Sequence, residues 1–443
     1  MATPTQEQPA TVPEAKQAGD IPARWAWVEG SVWTARMVAT LELGVKGGKW
    51  FSLIDKVHAQ GNLRSAFAEV KANRGAAGVD RQSVGDFEQR LDENLASLAQ
   101  CVREGSYRPH ALRRVWIPKP GSKESRPLGI PTVRDRVLQA ALRHVVEPIF
   151  EKDFATHSYG FRPGRGCKDA LRRVDGLLKA GHHWVVDADL KRYFDTIPHR
   201  PLLQRIESKI SDGRVLALIE ALLGQGVMDA MGLWTPEEGT PQGAVISPLL
   251  SNIYLDPLDH SIAGAGLEMV RYADDFVILC RDRQEAERAL HLVQQWTAQA
   301  GLTLHPEKTR IVDAREPGGF EFLGYRFEQG RRWPRKKSLG KLKAALRAKT
   351  RRVNGQSLER IVTDVNATLQ GWFAYFKHSH RTTFPTLEGW LRMRLRSILR
   401  RRLGKRGRGR GSDHQRWPNA YFAGHGLFSM IEAHARLRHP LTR

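Results

Sequence analysis

The sequence has little cysteine and no long apolar run, and both absences narrow the possible protein classes. Only three cysteines occur among 443 residues, Cys101, Cys167 and Cys280, and no C-x-x-C pair is present. This usage excludes a disulfide framework or a cysteine-held zinc site and is typical of the reducing cytoplasm. No run of about 20 apolar residues exists, so no membrane-spanning helix is expected. The polar, proline-rich residues 1–20 lack the apolar core of a signal peptide and are expected to form a disordered tail.

Acidic residues are scarce relative to basic ones. Seventy Lys and Arg face 47 Asp and Glu, which gives a formal net charge of +23 and a pI near 10.3. Such a chain favours a polyanionic partner, because Lys and Arg release the counterions condensed on phosphates. Nucleic acid is the expected partner, and an acidic membrane surface is the alternative. The sequence contains neither G-x-x-x-x-G-K-[ST] nor G-x-S-x-G, so nothing indicates a P-loop or a hydrolase nucleophile.

Strand-like and helix-like segments alternate through the middle of the chain. The β-prone runs are 182–190 and 267–280, and the helical stretches are 199–224, 245–259 and 283–300. This alternation predicts an α+β fold with helices on one face of an antiparallel sheet. After about residue 335, Arg and Lys dominate and the apolar spacing becomes helical, which predicts a separate basic helical domain.

Two acidic motifs lie at the ends of β-prone segments. In residues 269–280, MVRYADDFVILC, apolar residues flank Asp274 and Asp275, which predicts a hairpin with two carboxylates at its tip. In residues 184–190, WVVDADL, an apolar strand ends at Asp189. Taken alone, the first motif is equally a solvated turn and the second a helix N-cap. Together they supply the carboxylate ligands on adjacent strands that a two-metal polymerase site requires.

Seven sequence blocks in order carry a resemblance to a known family. The Y-A-D-D box at 272–275 resembles the signature of reverse transcriptases, and the surrounding blocks resemble those of group II intron-encoded proteins. The blocks are 115–139, 158–171, 187–199, 239–255, 271–279, 302–309 and 322–327. The resemblance covers about 50–335, and 358–403 is similar to the thumb and maturase region. Because no Cys follows residue 403, the chain resembles the bacterial members without a zinc-bearing H-N-H endonuclease domain.

The resemblance implies a right-hand polymerase. Its fingers and palm, with an antiparallel palm sheet, are expected to precede an α-helical thumb and maturase domain. The expected divisions are an N-terminal extension with fingers at 21–186, a palm with the catalytic site at 187–333, a basic helical thumb or maturase domain at 334–403, and a Gly/Arg-rich linker with a short C-terminal segment at 404–443.

The resemblance also assigns roles to residues near the predicted metal site. Asp189, Asp274 and Asp275 are expected to be catalytic and, with the Leu190 carbonyl, to bind two Mg²⁺ ions, which Mn²⁺ could replace. Phe194 stands where the family places an aromatic ring that excludes the ribose 2′-hydroxyl. The alternative for Phe194 is ordinary core packing.

Further residues are expected to bind the incoming nucleotide. Lys119 and Arg126 resemble the clamp on the triphosphate, with a solvated basic turn as the alternative. Gln242 resembles the glutamine beside the nucleotide sugar, and Ala244 stands where the family usually has a glycine. Lys308 matches a lysine proposed as general acid for the pyrophosphate, although a surface lysine fits equally well.

Other residues are expected to bind the template, the primer or the intron RNA. Arg162 and Arg165 resemble template contacts, and Tyr272 is expected near the primer terminus. The expected RNA contacts in the C-terminal region are Lys377, Arg396, Arg400, Arg401 and Arg402. The alternative for this basic helix is a solvated face.

The resulting hypothesis is an RNA-directed DNA polymerase that binds its intron RNA to assist splicing and copies it into DNA during retrohoming. Its expected partners are the intron RNA, a DNA target or primer and deoxynucleoside triphosphates, with no membrane and no oligomeric state specified. Its expected location is the bacterial cytoplasm, as a nucleoid-associated ribonucleoprotein. The alternatives are a reverse transcriptase of a retron, diversity-generating or defence system, disfavoured by 358–403, and a splicing-only maturase, disfavoured by the intact carboxylates.

Overall fold

A computed structural model describes residues 22–45, 47–118, 125–229, 232–353 and 355–438. The predicted tail at 1–20 and the predicted nucleotide contact Lys119 lie outside these residues. A short 3₁₀ turn, Ala23–Trp25, opens the described chain.

The helices of the described chain fall into an N-terminal, a central and a C-terminal group. They are Ala35–Leu43 (α1), Ile54–Val57 (α2), Gln60–Ala72 (α3), Val84–Gln89 (α4), Leu91–Glu104 (α5), Val133–Glu151 (α6), Cys167–Lys179 (α7), Tyr193–Thr196 (α8), His199–Glu207 (α9), Gly213–Leu223 (α10), Ser247–Gly264 (α11), Arg283–Gln299 (α12), Lys336–Lys349 (α13), Leu358–Phe376 (α14), Thr383–Arg402 (α15), Asp413–Arg416 (α16), Asn419–Gly424 (α17) and Met430–Arg438 (α18).

The strands of the described residues form three small sheets. They are Leu112–Pro118 (β1), Ser125–Ile130 (β2), Trp184–Asp189 (β3), Val227–Asp229 (β4), Gly232–Trp234 (β5), Glu268–Tyr272 (β6), Asp275–Cys280 (β7), Arg310–Asp313 (β8), Phe320–Phe322 (β9), Tyr325–Glu328 (β10) and Arg331–Pro334 (β11). The sheet orders are β2-β1-β4-β5, β6-β7-β3-β8 and β11-β10-β9. The predicted basic hairpin is β1–β2, and the predicted carboxylate hairpin is β6–β7.

The four-stranded sheet β6-β7-β3-β8 is antiparallel throughout and is covered on both faces. Val186 and Ile278 point into the core that contains α9, α11 and α12. Val185 and Val277 point into a second core that contains α7 and the β9–β11 sheet. The α+β class is confirmed. Helices were expected on one face of the sheet, and the structure has α7 and the β9–β11 sheet on the other face as well. The apolar runs in β3 and β7 carry apolar side chains on both faces, which requires two covering layers.

The C-terminal helices share a core of their own. Its buried residues along α13, α14 and α15 include Leu346, Val365 and Leu395. The same core also contains Trp417, Phe422 and Met430. These residues belong to 404–443, which was expected to be a Gly/Arg-rich linker followed by a short C-terminal segment. The chain after residue 403 therefore folds onto α15, because it supplies apolar side chains for burial.

A fully buried arginine fixes the turn between β6 and β7. Arg271 Nε donates to Asp259 Oδ1 at 2.7 Å, and another guanidinium nitrogen donates to Asn252 Oδ1 and the Ala273 carbonyl, both at 2.9 Å. Asp259 and Asn252 belong to α11. Burial disfavours the charged guanidinium, but the Asp259 carboxylate outweighs it, and the pKa of Arg271 is raised. The network holds Ala273 at a φ of +58°, in the left-handed region that non-glycine residues rarely adopt.

We expect Arg271→Met to lower the free energy of unfolding by about 3–5 kcal/mol, because it leaves the Asp259 carboxylate buried without its cation. Urea denaturation of the full chain measures the change. Arg283→Met on the exposed face of α12 is the matched control, with an expected change within about 0.5 kcal/mol. Equal losses for the two variants would contradict the role of Arg271.

Candidate active site

The three predicted catalytic carboxylates meet at one edge of the four-stranded sheet. Asp189, the last residue of β3, is paired with Asp275, the first residue of β7. Asp274 immediately precedes Asp275 in the turn. Directly paired residues of an antiparallel ladder hold their Cβ atoms about 4.5–5.5 Å apart. Asp189 and Asp275 therefore lie side by side at this edge, next to Asp274 in the turn, as the two strand-end motifs predicted.

The electrostatics of this edge disfavour several negative charges. Desolvation by the surrounding protein, together with the carboxylates of Asp274, Asp187 and Asp189, raises the pKa of Asp275 to about 7. Part of the Asp275 surface nevertheless stays open to solvent. Burial is also the main cause that raises the pKa of Asp274, with Asp189 adding to it and Arg126 opposing it. A bound divalent cation would relieve this repulsion.

Asp187 is a fourth acid of the cluster that the sequence reasoning missed. Burial raises its pKa to about 6, against the opposing charge of Arg310, whose guanidinium lies 3.5 Å from Asp187 Oδ2. Side chains two apart on a strand share a face, so the D-A-D spacing of Asp187 and Asp189 was a usable signal.

Lys308 pairs with one of the predicted metal ligands. Its Nζ lies 2.7 Å from Asp189 Oδ2, and both side chains are largely exposed. Within the described ranges, no three His, Cys, Asp or Glu side chains are arranged as a ready metal site. The donor chemistry still fits Mg²⁺, which prefers carboxylate oxygens, provided that Asp189 leaves the Lys308 ammonium.

The neighbours of the carboxylates support the turn by close backbone contact. The Tyr159 N–H donates to the Arg271 carbonyl at 2.9 Å, and Asn252 Nδ2 donates to the Gly160 carbonyl at 2.8 Å. A Cβ at Gly160 would lie 2.2 Å from the backbone nitrogen of Ala273, so only glycine fits there. The block at 158–171 therefore packs against the backbone of the carboxylate turn through Tyr159 and Gly160.

A cavity of about 300 Å³ contains two of the predicted nucleotide-binding residues. Phe194 and Gln242 line it together with Arg114 and Trp116 of the β1 strand. Gln242 Nε2 donates to Asp195 Oδ1 at 3.1 Å. The Phe194 ring is half-buried, so it packs partly in the core and also faces the cavity.

The remaining predicted residues near the site are placed as follows. Arg126 is exposed on β2, close enough to Asp274 to oppose the rise of its pKa. Leu190 follows β3 and forms a bridge with Leu304. The Tyr272 ring lies 6.1 Å from that of Phe161. The nucleotide, metal and primer roles of these residues stay predictions.

Ala244, where the family usually has a glycine, is buried. The preceding Gly243 has a φ of +109°, and a Cβ there would lie 2.7 Å from the Gly129 carbonyl oxygen. The close approach to β2 therefore depends on Gly243, and the extra methyl of Ala244 is accommodated.

The expected template contact at Arg162 is corrected by its burial. Arg162 Nε donates to both carboxylate oxygens of Glu151, at 3.1 and 2.9 Å, and another of its nitrogens donates to the Ser158 carbonyl at 2.9 Å. Its side chain is 2% exposed, so the guanidinium holds the loop before α7 instead of presenting charge to a nucleic acid. Arg165 is half-buried over the Tyr159 ring.

The expected RNA contact at Arg396 is also corrected. Its guanidinium is buried and donates to the Trp417 carbonyl and to Asn419 Oδ1, both at 2.9 Å. The Arg400 guanidinium is also partly engaged within the protein, because one of its nitrogens donates to Asp413 Oδ2 at 2.8 Å.

The other basic residues expected at the C-terminal region remain accessible. Arg401 and Arg402 are exposed, although Arg402 donates to the Gln356 carbonyl. Lys377 is half-buried at the end of α14. Their RNA-binding roles stay predictions.

Two family models match the chain. Residues 117–327 match "Reverse transcriptase (RNA-dependent DNA polymerase)", and residues 339–417 match "Group II intron, maturase-specific domain". The first match includes the carboxylate edge, and the second includes most of the C-terminal helical core.

Curated relatives match over different shares of their length. Protein YkfC of Escherichia coli (strain K12) is 35% identical over 305 residues, which cover 60% of this chain and 79% of that protein. The group II intron-encoded protein LtrA of Lactococcus lactis subsp. cremoris is 38% identical over 196 residues, which cover 44% of this chain and 32% of LtrA. The match thus spans most of the first relative and about a third of the second.

Among solved structures, a chain of a "Partial Cas6-RT-Cas1--Cas2 complex" is 28% identical, with a TM-score of 0.37, over 56% of this chain and 41% of that chain. Within the described ranges, none of the helices combines the length and apolar character needed to cross a membrane.

We expect Asp275→Asn to stabilise the protein above neutral pH in the absence of metal. The folded-state pKa of about 7 exceeds the value of about 3.9 for an unfolded Asp, so the native state holds the extra proton between these values. Stability is therefore lost as the pH rises through this window, and Asn removes the loss.

Urea denaturation in EDTA at about pH 5 and about pH 8 measures this difference. Asp92→Asn, an exposed position on α5, is the control. Parallel pH dependence in wild type and Asp275→Asn would contradict the raised pKa.

Proposed function

We infer that this chain, which belongs to the group II intron-encoded reverse transcriptase and maturase family, synthesises DNA on an RNA template at an edge where Asp189, Asp274 and Asp275 bind two Mg²⁺ ions. The observation that carries the proposal is the register of the sheet, which sets Asp189 opposite Asp275 with Asp274 beside it. When bound, two divalent cations activate the primer 3′-hydroxyl and neutralise the leaving pyrophosphate, and Mn²⁺ could take their place.

The side chains around the carboxylates suit the other requirements of the reaction. We propose that Lys308 leaves Asp189 and holds its proton beside the phosphates of the deoxynucleoside triphosphate, where that proton can neutralise the leaving group. Arg126, near Asp274, supplies a second positive charge to the triphosphate. Lys119, which lies outside the described residues, is proposed to add a further positive charge to the triphosphate.

The cavity beside α8 supports sugar selection. Phe194 is proposed to fill the space that a ribose 2′-hydroxyl would need, and Gln242 to contact the sugar edge of the bound nucleotide. Gln242 is held by Asp195, which restricts its orientation before a nucleotide arrives. Leu190 is proposed to offer its carbonyl to a metal ion, and Tyr272 to pack against the primer end.

The maturase-specific match supports a second activity in the C-terminal helices. We propose that they bind the group II intron RNA to assist splicing, that the same RNA serves as template during retrohoming, and that a DNA target or primer supplies the 3′-end. The proposed divisions remain fingers to residue 186, palm at 187–333 and thumb from 334. The helical domain extends past 403, because Trp417, Phe422 and Met430 complete its core.

Asp274→Asn should reduce primer extension on an RNA template by roughly 1000-fold or more, because several kcal/mol of transition-state stabilisation by the metal would be lost. The RNA affinity should stay within about twofold, since Asp274 is not a phosphate contact. Gel analysis of extension with Mg²⁺ and the four deoxynucleotides measures the rate, with Asp92→Asn as the control.

Wild-type protein that is folded and binds RNA but forms no DNA product would refute the polymerase proposal and favour a splicing-only maturase. Full activity of Asp274→Asn would refute the assignment of that carboxylate.

Phe194→Ala should raise the incorporation of UTP relative to dTTP by roughly tenfold or more, because the ring would no longer exclude the 2′-hydroxyl. The ratio of kcat/KM for the two nucleotides on an RNA template measures the selectivity. Phe51→Ala, at an exposed ring distant in sequence from α8, is the control. An unchanged ratio in Phe194→Ala would assign that ring to core packing alone.

A further inference from the structure

A second cavity, of about 300 Å³, lies within the C-terminal helical domain and shares no residue with the carboxylate edge. Its lining comes from four separate segments. Arg347 lies on α13, Arg352 on the following loop, Trp390 and Arg394 on α15, and Arg408 in the Gly/Arg-rich segment after α15. None of these residues was singled out from the sequence as an RNA contact.

The charges in this cavity are of one sign. Four guanidinium groups line it, and none of the residues that line it is acidic. The basic face of a single helix spreads its charges into solvent. Here, arginine side chains from different segments of the chain converge on one cavity. Burial lowers the pKa of Arg394, and the nearby Arg347 and Arg352 lower it further. An anion bound among these groups would remove the repulsion.

An aromatic ring lies within the basic cluster. The Trp390 ring has Lys343 Nζ at 5.8 Å from its centroid, the Arg347 guanidinium at 5.6 Å and the Arg394 guanidinium at 5.5 Å. The ring is only half-buried. Aromatic rings beside basic groups stack on unpaired bases while the cations hold the backbone phosphates. The ring also packs against the helical core. A nucleotide would use both the charges and the open part of the ring, whereas a free inorganic anion would use the charges alone.

Internal contacts hold the cavity in place. Arg394 Nε donates to Thr350 Oγ1 at 2.7 Å, which ties α15 to the end of α13. The Gly409 N–H donates to Ser397 Oγ at 3.1 Å, and this contact anchors the segment that carries Arg408. A Cβ at Gly409 would lie 2.5 Å from Arg396 Cβ, so glycine permits this close packing.

We propose that this cavity binds one unpaired RNA nucleotide, with its base stacked on Trp390 and its phosphates held by Arg347, Arg352 and Arg408, while Arg394, anchored on Thr350, adds its positive charge. The proposal rests on the proposed binding of RNA by the helical domain and names the residues that recognise it. Arg396 and Arg400, which the sequence suggested, instead anchor the chain that closes the cavity.

The test is the binding of labelled oligouridine to the full chain, measured by fluorescence anisotropy over a range of salt concentrations. Trp390→Ala should weaken binding roughly tenfold with little change in salt dependence, and Trp390→Phe should restore most of the affinity. Arg347→Gln with Arg352→Gln should lower the slope of log K against log salt by about one to two. Lys336→Gln with Lys341→Gln, two exposed lysines on α13, should leave the slope nearly unchanged.

Ultraviolet crosslinking of RNA that contains 4-thiouridine gives a second readout, with the crosslink expected on the wild-type peptide that contains Trp390. Wild-type affinity in Trp390→Ala would overturn the proposal. So would displacement of the RNA by inorganic polyphosphate with equal efficiency from wild type and Trp390→Ala, because it would indicate a site for phosphate alone.

Primer extension on a short template–primer separates this proposal from the proposed function. At a saturating concentration of template–primer, each variant should extend within about twofold of wild type, because the cavity shares no residue with the carboxylate edge. A wild-type chain that neither binds oligouridine nor extends a primer would overturn the proposed function. An active, RNA-binding wild type whose Trp390 and arginine variants match the lysine control would overturn only the nucleotide cavity.

Discussion

The buried ion pair between Arg271 and Asp259 is the constraint on which the candidate site depends. It offsets the cost of a turn that holds Ala273 in the left-handed region next to two adjacent carboxylates. Arg271 supplies a fixed positive charge beneath the turn and joins it to α11 through Asp259 and Asn252. Charges at this depth are costly unless fully paired, so the pair specifies one arrangement of the turn more than it adds stability.

The carboxylate edge and the helical cavity each bring like charges together, negative at the edge and positive in the cavity. At the edge, burial and neighbouring acids raise the pKa of Asp275, and Lys308 pairs with Asp189. In the cavity, four arginines converge without an acid among the lining residues. Both arrangements lower the stability of the unliganded chain and increase the free energy available for binding a counter-charge. The first suits divalent cations and the second suits phosphates.

Sequence periodicity located the strands and their ends, so the meeting of Asp189 with Asp274 and Asp275 could be predicted. The α+β class followed from the same patterns. The predictions that were wrong concerned arginines expected to bind nucleic acid. The sequence does not distinguish an arginine that faces solvent from one that is buried against an acid, as Arg162 is against Glu151. The convergence of Arg347, Arg352 and Arg408 depends on tertiary packing across four segments, which no local pattern encodes.

The most direct test of the central claim is a crystal structure of the full chain with an RNA template, a chain-terminated DNA primer, a deoxynucleoside triphosphate and Mg²⁺. Two metal ions are expected at Asp189, Asp274 and Asp275, with Lys308 moved from Asp189 toward the phosphates and Arg271 unchanged beneath the turn. Metal ions bound elsewhere, or Lys308 still paired with Asp189 in the complete complex, would contradict the claim.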